Sequence, residues 1–309
     1  ASANAGLYAG GNVAFADVDK NTINMYPAHL QDVLKQNPNT VAVVPVHFGG
    51  LPCDMPAIKK LADAAGAVVI EDAAHALGGT YPDGRRVGCC AHSLMTIFSF
   101  HPVKAIAAGE GGMITTNDDS VYRELIRLRS HGINKLDDSL QCPEQAETDG
   151  CPNPWYYEMQ ELGYHYRITD MQCVLANSQL RKLDTFIARR RQLAKQYDAA
   201  FSGMRHCRPA QVSGRDESGL HLYVLRIDFN AIGKSRAQLM LDLRSRGIGS
   251  QVHYIPVPAQ PFYQRLGHNL NDYPVASDYY SEALTIPLFF DLTDAQQQQV
   301  IAAFEELVG

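Results

Sequence analysis

Short apolar runs rich in β-branched residues alternate with stretches of helical periodicity in the first part of the chain. The runs that predict strands span residues 12–18, 40–46 and 67–72. Helical patterns lie between them at residues 27–37 and 54–66. Pro27 stands near the start of the first helix, and Asp54 is placed to cap the second. This alternation predicts an α/β fold with a mostly parallel central sheet and helices on both faces.

The middle of the chain continues this pattern and then departs from it. Further strands are predicted at residues 93–100 and 111–116, and a helix is predicted at residues 118–132. From Ile133 to about Gln160 the chain is polar and irregular, and a loop of that length within a compact domain is usually functional or part of an interface. A long helical segment is predicted at residues 169–201.

The C-terminal part predicts a smaller α+β domain. Its strand-like and helical patterns lie at residues 221–229, 235–247, 250–256 and 294–308. We therefore predict a large domain over residues 1–188 and a small C-terminal domain over residues 189–309. The four glutamines at residues 296–299 are expected on the exposed face of the last helix.

Composition and charge narrow the choice of partners. The chain has 309 residues and a formal net charge of −6, which argues against nucleic acid or an anionic membrane surface as the main partner. No apolar run approaches the ~20 residues that a membrane-spanning helix needs. The seven cysteines include no CxxC pair, so they suggest neither a disulfide framework nor a metal site, and they fit a reduced cytoplasmic compartment.

Candidate chemistry lies at the ends of two predicted strands. Glu71, Asp72 and His75 follow one strand, and Lys104 follows another. Ligands of parallel sheets gather beyond the carboxyl ends of the strands, so an acid and an amine are expected at one edge. This pair suits pyridoxal phosphate, whose aldehyde takes a lysine amine and whose pyridine nitrogen pairs with a carboxylate. Taken alone, Asp72 could equally cap a turn, and Lys104 could be an ordinary surface lysine.

Neighbouring residues add to this hypothesis. Ser99 lies five residues before Lys104 and could donate a hydrogen bond to a phosphate oxygen. Ala74 is small enough to let a flat ring lie on the backbone, and His75 could meet the phenolic oxygen of the cofactor. A histidine in the core and an ordinary glycine turn at residues 109–112 are the commoner explanations of these features when each is taken singly.

Several longer motifs follow one another along the chain: EDAAHALGGTY, MTIFSFHPVK, GEGGMITTND, LRSHGI and LGYHYRITDMQ. In this order they resemble the DegT-type sugar-nucleotide aminotransferases, and the resemblance extends over nearly the whole chain. It implies a pyridoxal-phosphate enzyme of fold type I, the aspartate-aminotransferase-like fold. The segments SFHPVK, WYYEM and QVHYIPVPAQPFY look most like one branch, the UDP-4-amino-4,6-dideoxy-N-acetyl-β-L-altrosamine transaminases of pseudaminic acid synthesis.

The resemblance implies roles for the cofactor residues. Lys104 matches the lysine that forms the Schiff base, and Asp72 matches the acid that pairs with the pyridine nitrogen. Ser99 matches the phosphate-binding serine, and His75 matches a position that contacts the ring oxygen. His165 stands where the family has an asparagine that reaches the phosphate from the other subunit.

The resemblance also implies a substrate site and a reaction. His253 and Tyr254 lie in the segment that lines the sugar site in relatives, so they are candidate substrate contacts. The implied reaction moves an amino group from glutamate to C4 of a UDP-linked 4-keto-6-deoxy-N-acetyl-hexosamine and releases 2-oxoglutarate. The implied assembly is a homodimer with shared active sites, although the loop before His165 could instead pack on its own subunit.

Other functions stay open at this point. An enzyme of the same family could act on a differently linked or differently configured nucleotide sugar. The chain could also be a catalytically silent module of the same fold with a binding role. A nucleotide-binding protein without pyridoxal phosphate is less favoured, because neither GxGxxG nor GxxxxGK[ST] occurs in the sequence.

Relatives carry a segment upstream of the ASANA with which this sequence begins. In them that segment has a Gly-Thr motif at a helix N-terminus, which helps to bind the cofactor phosphate. The resemblance therefore predicts that the sequence is a fragment of a longer protein.

Overall fold

A four-stranded sheet forms the first half of the molecule in a computed structural model that describes residues 1–134 and 140–309. Its strands are β1 (Ala42–Val43), β2 (Val68–Asp72), β3 (Met95–Ser99) and β4 (Gly112–Thr115). They lie in the order β1-β2-β3-β4, with β1, β2 and β3 parallel and β4 antiparallel to β3. The predicted α/β fold with a mostly parallel central sheet is confirmed.

Ten helices occur in the described part of the chain. They are α1 (Ser2–Tyr8), α2 (Pro27–Gln36), α3 (Met55–Ala64), α4 (Asp119–Arg129), α5 (Asp170–Leu180), α6 (Leu183–Phe201), α7 (Arg236–Ser245), α8 (Pro261–Arg265), α9 (Pro274–Glu282) and α10 (Asp294–Leu307). At the start of several of these helices a capping side chain accepts a backbone N–H group. The Asp54 carboxylate accepts the Ala57 N–H at the start of α3, and Thr169 and Thr293 form capping boxes at the starts of α5 and α10. Within the described residues, none of the helices combines the length and apolarity needed to cross a membrane.

The alternation of side chains along β2 sets the geometry of the site. Val69 and Glu71 are buried on one face of the strand, whereas Ile70 and Asp72 are only partly buried on the other. Asp72 pairs in register with Ile97 of β3, and Val69 joins the core that α2, α3 and the start of α6 share. The last residue of β2 therefore stands at the carboxyl edge of the sheet, where ligands of parallel sheets gather.

A second core lies in the C-terminal part. Strands β9 (Cys207–Pro209), β10 (Tyr223–Ile227) and β11 (Ala283–Ile286) form an antiparallel sheet in the order β11-β10-β9. Helix α6 connects the two cores, because Ile187 packs in the first and Leu193 in the second. The division into domains 1–188 and 189–309 stays a prediction.

The prediction of a strand at residues 12–18 is wrong. This segment makes only an isolated backbone pairing between Val18 and Met25. Its side chains bind the C-terminal part instead: Phe15 packs edge-on against Tyr263, and the Asp17 carboxylate accepts the N–H groups at the start of α9. The apolar run predicted a strand paired by backbone hydrogen bonds. In the structure the segment is held extended by tertiary contacts of its side chains instead.

Two helical predictions also needed correction. The segment 169–201 is two helices, α5 and α6, with a turn at residues 181–182. In α10, Gln297 is not on the exposed face: its side chain is buried, and its amide donates to the Leu193 carbonyl at 2.7 Å. The other three glutamines of the run are exposed, as expected.

The described parts of the polar stretch after α4, residues 133–134 and 140–160, contain more regular structure than the sequence predicted. They contain strands β5 (Ile133–Asn134), β6 (Glu147–Thr148), β7 (Cys151–Pro152) and β8 (Glu158–Met159), which pair as β5 with β8 and β6 with β7. The buried Glu158 carboxylate accepts the backbone N–H groups of Gln141 and Cys142, so these bonds join residues 141–142 to strand β8.

Candidate active site

Hydrogen bonds to its side chain and to its backbone hold Asp72 at the end of β2. Its carboxylate accepts the Ala74 N–H on Oδ1 at 3.0 Å and the Ser2 hydroxyl on Oδ2 at 2.5 Å. Its backbone carbonyl accepts the His47 N–H at 3.0 Å. The carboxylate is therefore an oriented anion at the edge of the sheet, with lone pairs left over for a ligand.

Lys104 lies in the turn after β3, where its N–H donates to the His101 carbonyl at 2.9 Å. Burial lowers the pKa of the Lys104 ammonium below its usual range, and the negative charge of Asp72 acts in the opposite direction. The two charges therefore interact across the same edge of the sheet. A lysine with a lowered pKa is more readily deprotonated, which is the form that can attack a carbonyl.

His75 is buried between other aromatic rings. Its Nε2 lies 3.3 Å from the Tyr254 hydroxyl, and its ring centroid lies 4.4 Å from that of His221. Burial, and then the positive charge of Lys104, lowers the pKa of His75 to about 3. The ring is therefore neutral at physiological pH. Its Nδ1 is buried and has no hydrogen-bond partner within the described residues, so it can still bond to a ligand.

The expected substrate residues lie in the same place as the cofactor residues. Tyr254 stacks on His75 with a centroid distance of 6.1 Å and an interplanar angle of 25°. His253 Nδ1 lies 2.8 Å from the Thr285 hydroxyl, and its backbone carbonyl accepts the Tyr279 hydroxyl at 2.7 Å. Burial, and then the charge of Lys104, lowers the pKa of His253. Residues far apart in sequence thus meet around Lys104.

Ser99 and Ala74 occupy the two strand ends that flank this group. Ser99 is the last residue of β3, pairs with Gly112 and accepts the His101 N–H on its hydroxyl at 3.4 Å. Gly112 can carry no side chain, because an added Cβ would lie 2.7 Å from the Phe98 carbonyl oxygen. The close approach of these two strands therefore depends on that glycine.

His165 has a different environment from the other predicted site residues. Its backbone pairs with Ser130, its Nε2 lies 3.0 Å from an Arg167 nitrogen, and its ring meets the edge of His131. The side chain is exposed. The contacts described for His165 are therefore with its own loop and the end of α4, rather than with Asp72 and Lys104.

Glu71 lies away from the site, contrary to the expectation that it would share the edge with Asp72. It is fully buried on the opposite face of β2, where its carboxylate accepts hydrogen bonds from His47, Tyr81, Ser93 and Thr96. Burial acts to raise the pKa of Glu71, but these bonds, His47 first, lower it overall. The period of two along a strand explains the error, because adjacent side chains point to opposite faces.

Sequence reasoning missed two residues of the group, Ser2 and His221. Ser2 lies 70 positions from Asp72, and His221 lies in the C-terminal part, next to β10. Burial lowers the pKa of His221 to about 2, so it is neutral like His75. Neither residue belongs to a local pattern that would have identified it, because each acts through a contact between distant parts of the chain.

A cleft of about 740 Å³ opens beside Lys104. It lies between the turn that carries Lys104, the junction of α5 with α6, and residues 289–291. Phe289 and Phe290 give it apolar walls, and Lys182 contributes a second ammonium group. The volume is within the range of small-molecule sites in proteins.

The residues present fit pyridoxal phosphate. The donor set contains a readily deprotonated amine on Lys104 and an oriented carboxylate on Asp72. It also contains a buried imidazole nitrogen on His75 with no partner of its own within the described chain. These are the groups that the aldehyde, the pyridine nitrogen and the ring oxygen of the cofactor require.

Comparisons with known proteins agree with this chemistry. The spore coat polysaccharide biosynthesis protein SpsC of Bacillus subtilis is 37% identical over 309 residues, covering 99% of this chain and 76% of that protein. The structure of Helicobacter pylori PseC, an aminotransferase involved in the biosynthesis of pseudoaminic acid, aligns with a TM-score of 0.87 at 26% identity. That alignment covers 99% of this chain and 76% of PseC.

A third relative bears on the cofactor. The PLP form of Spr1654 from Streptococcus pneumoniae aligns with a TM-score of 0.84 at 26% identity, covering 99% of this chain and 78% of that chain. The expected aminotransferase fold and the expected cofactor, pyridoxal phosphate, are confirmed at the level of the family. The model of the DegT/DnrJ/EryC1/StrS aminotransferase family matches residues 1–305, so this chain belongs to that family.

Proposed function

We propose that the chain transfers an amino group from glutamate to C4 of a UDP-linked 4-keto-6-deoxy-N-acetyl-hexosamine, as in pseudaminic acid synthesis. The product would be UDP-4-amino-4,6-dideoxy-N-acetyl-β-L-altrosamine. The observation that carries the proposal is the placement of Asp72 at the end of β2 and of Lys104 in the turn after the neighbouring parallel strand β3. The similarity to PseC supports the choice of the sugar.

Each site residue has a defined part in this proposal. Pyridoxal phosphate, when bound, supplies an electron-accepting ring that stabilises negative charge on the carbon next to the transferred nitrogen. Asp72 would hold the pyridine nitrogen protonated, Ser99 would donate to the phosphate, His75 would bond to the ring oxygen, and the small Ala74 would leave room for the ring. Lys104 Nζ holds the cofactor and then moves the proton at the substrate carbon that bears the nitrogen.

Burial of Lys104 suits this second task. A general base works best when its pKa lies near the working pH, and burial lowers the pKa of Lys104 toward that range. The neutral rings of His75 and His221 nearby add no positive charge that would compete with it for Asp72. The lowered pKa of Lys104 therefore eases the loss of its proton.

The nucleotide part of the substrate is expected in the cleft beside Lys104, which is the one predicted site residue in the described part of the chain that lines it. His253 and Tyr254 stand on the side of His75 and would contact the sugar hydroxyls. Phe289 and Phe290 offer flat apolar surface in the cleft, which suits a nucleobase, and Lys182 suits its phosphates. A cleft of about 740 Å³ has room for a nucleotide-linked sugar.

The site is expected to be shared between two copies of the chain. Helix α5 has no buried residue, and Met171, Val174 and Leu175 on it are 82%, 69% and 44% exposed. Tyr164 and Tyr166, which stack at 4.7 Å beside His165, are also exposed. Exposed apolar side chains in such number on one helix and the segment before it suit an interface. In a homodimer it would bring His165 to the phosphate of the partner's cofactor.

The reaction is proposed for the cytoplasm. All seven cysteines are free thiols, and Cys53, Cys90 and Cys207 are buried without a disulfide. Free cysteines in this number fit a reducing compartment.

The test is a panel of nucleotide-linked keto sugars offered to the purified chain with pyridoxal phosphate and glutamate. We expect 2-oxoglutarate to form with the UDP-linked 4-keto-6-deoxy-N-acetyl-hexosamine, and an aminated sugar to appear in equal amount. Turnover of a dTDP- or GDP-linked sugar alone would favour another substrate within the family. A visible absorbance change with pyridoxal phosphate but no turnover of any sugar would favour a catalytically silent module.

A further inference from the structure

Helix α1 contacts the proposed cofactor acid directly. The Ser2 hydroxyl donates to Asp72 Oδ2 at 2.5 Å, and the Ala74 N–H donates to the other oxygen, Oδ1, at 3.0 Å. A serine in the first turn of a helix often bonds to nearby backbone, and here the bond runs to a residue 70 positions away. The two donors hold different oxygens, so together they fix the rotation of the carboxylate plane.

The same helix is held from its other side by the C-terminal part. The Tyr263 hydroxyl donates to Asn4 Oδ1 at 2.6 Å, and the Tyr263 ring is buried. Phe15, after the helix, packs edge-on against Tyr263 at 5.6 Å and against Tyr273 at 6.1 Å. Helix α1 therefore bridges Asp72 and helix α8.

We infer that Ser2 is a positioning residue for Asp72, and that Tyr263 acts on the same carboxylate through Asn4 and Ser2. This inference rests on the proposed function, because it assigns Asp72 to the pyridine nitrogen. A carboxylate can pair with a ring N–H only along its lone-pair directions. With Ser2 and Ala74 each occupying one lone pair, one lone-pair direction on each oxygen is left for the ring N–H. The C-terminal part of the chain thereby takes part in orienting the cofactor.

The first test compares Ser2→Ala with Ser2→Thr. We expect Ser2→Ala to weaken the binding of pyridoxal phosphate by about tenfold, the usual effect of losing a hydrogen bond to a charged group. The pH at which the visible band of the bound cofactor changes should also shift, because the carboxylate beside the ring nitrogen is less well oriented. Ser2→Thr keeps the hydroxyl and should bind within about twofold of the unchanged chain.

The matched control is Ser202→Ala, at the end of α6. The Ser202 hydroxyl donates to the Ala199 carbonyl at 3.1 Å within its own helix end, and it lies outside the site. The cofactor dissociation constant is measured by equilibrium dialysis, and the melting temperature of the cofactor-free chains is measured beside it. A loss of cofactor affinity without a loss of melting temperature separates positioning from folding.

The second test follows the bridge to its far end. Tyr263→Phe removes only the hydroxyl that bonds to Asn4, and we expect about threefold weaker cofactor binding. The double variant with Ser2→Ala should bind no more weakly than Ser2→Ala alone, because both changes act through one contact. Tyr273→Phe, on the same aromatic cluster, is the control and should bind normally.

The outcomes distinguish this inference from the proposed function. If the unchanged chain binds pyridoxal phosphate and Ser2→Ala binds it with the same affinity and the same absorbance titration, Ser2 has no positioning role. If the two losses in the double variant simply multiply, Tyr263 does not act through Ser2. If the unchanged chain itself fails to bind the cofactor, the proposed function fails together with the inference.

Discussion

Lys104 and Asp72 show how a few residues define the chemistry of the whole site. A lysine beside a carboxylate is common on protein surfaces, where the pair contributes little. Here burial lowers the pKa of Lys104 while the Asp72 carboxylate opposes that shift. The Lys104 ammonium is therefore easier to deprotonate than that of an exposed lysine, and the acid is oriented by Ser2 and Ala74. This combination, rather than either residue alone, supports the assignment.

Replacement of this lysine tests the assignment at the residue scale. We expect Lys104→Ala to lose all measurable amino transfer and the visible band of the bound cofactor, because Lys104 supplies the amine that would hold the aldehyde. Absorbance spectra after addition of pyridoxal phosphate, with an assay for 2-oxoglutarate, measure both. Lys60→Ala on the exposed side of α3 is the control and should behave as the unchanged chain. A normal band in Lys104→Ala would contradict the role.

The two buried histidines predict a loss of stability in acid. The pKa is about 3 for His75 and about 2 for His221, against an ordinary value of 6.5. Below pH 6.5 these two histidines become protonated in the unfolded chain but stay neutral in the folded chain. The free energy of unfolding therefore falls as the pH drops toward 3. The expected loss between pH 7 and 5 is about 2 kcal/mol for each histidine.

Urea unfolding of the cofactor-free chain at the two pH values measures this loss. His221→Asn removes one of the two titrating rings, and the difference between the two pH values should shrink by about 2 kcal/mol. His206→Asn, at a partly exposed position before β9, serves as the comparison and should leave the difference unchanged. An equal pH dependence in all three chains would show that His221 is not the source.

At the scale of secondary structure, the sequence predicted where strands and helices form better than it predicted which parts of the chain they contact. The apolar runs at residues 67–72 and 93–100 correctly predicted β2 and β3. Each of these strands is buried on one face. The run at 40–46 forms only the two-residue strand β1, since Pro45 has no N–H for a ladder. The run at 12–18 formed no strand, because Asp17 and Phe15 found partners in α9 and Tyr263. Tertiary contacts of this kind leave no local pattern.

The site could be predicted in part for the same reason. Asp72 and Ser99 end strands, and His75 and Lys104 follow them, so the topology of a parallel sheet brings all four to one edge. Ser2 and His221 could not be found in this way, because they reach the edge from α1 and from beside β10. Glu71 was assigned to the wrong face, because the sequence position of a residue at a strand end does not show on which face of the sheet its side chain lies.

The exposed face of α5 predicts dimer formation at the scale of one helix. Leu175→Glu places a charge among Met171 and Val174, and its burial in an interface would be costly. We expect the apparent mass in solution to fall from dimer to monomer at micromolar concentration. Leu241→Glu on α7, where the leucine is also exposed, is the control and should leave the mass unchanged. An unchanged mass in both variants would place the interface elsewhere.

The arrangement of the whole molecule predicts complementation between two inactive variants. If His165 serves the partner's site, a mixed dimer of Lys104→Ala and His165→Ala chains contains one site with both residues intact. Refolding the two chains together in equal amounts should then restore about a quarter of normal activity, since half of the dimers are mixed and each has one working site. Each variant refolded alone is the control and should stay inactive or strongly impaired. If His165 acts within its own subunit, no mixed site is complete, and the mixture should be no more active than the average of its components.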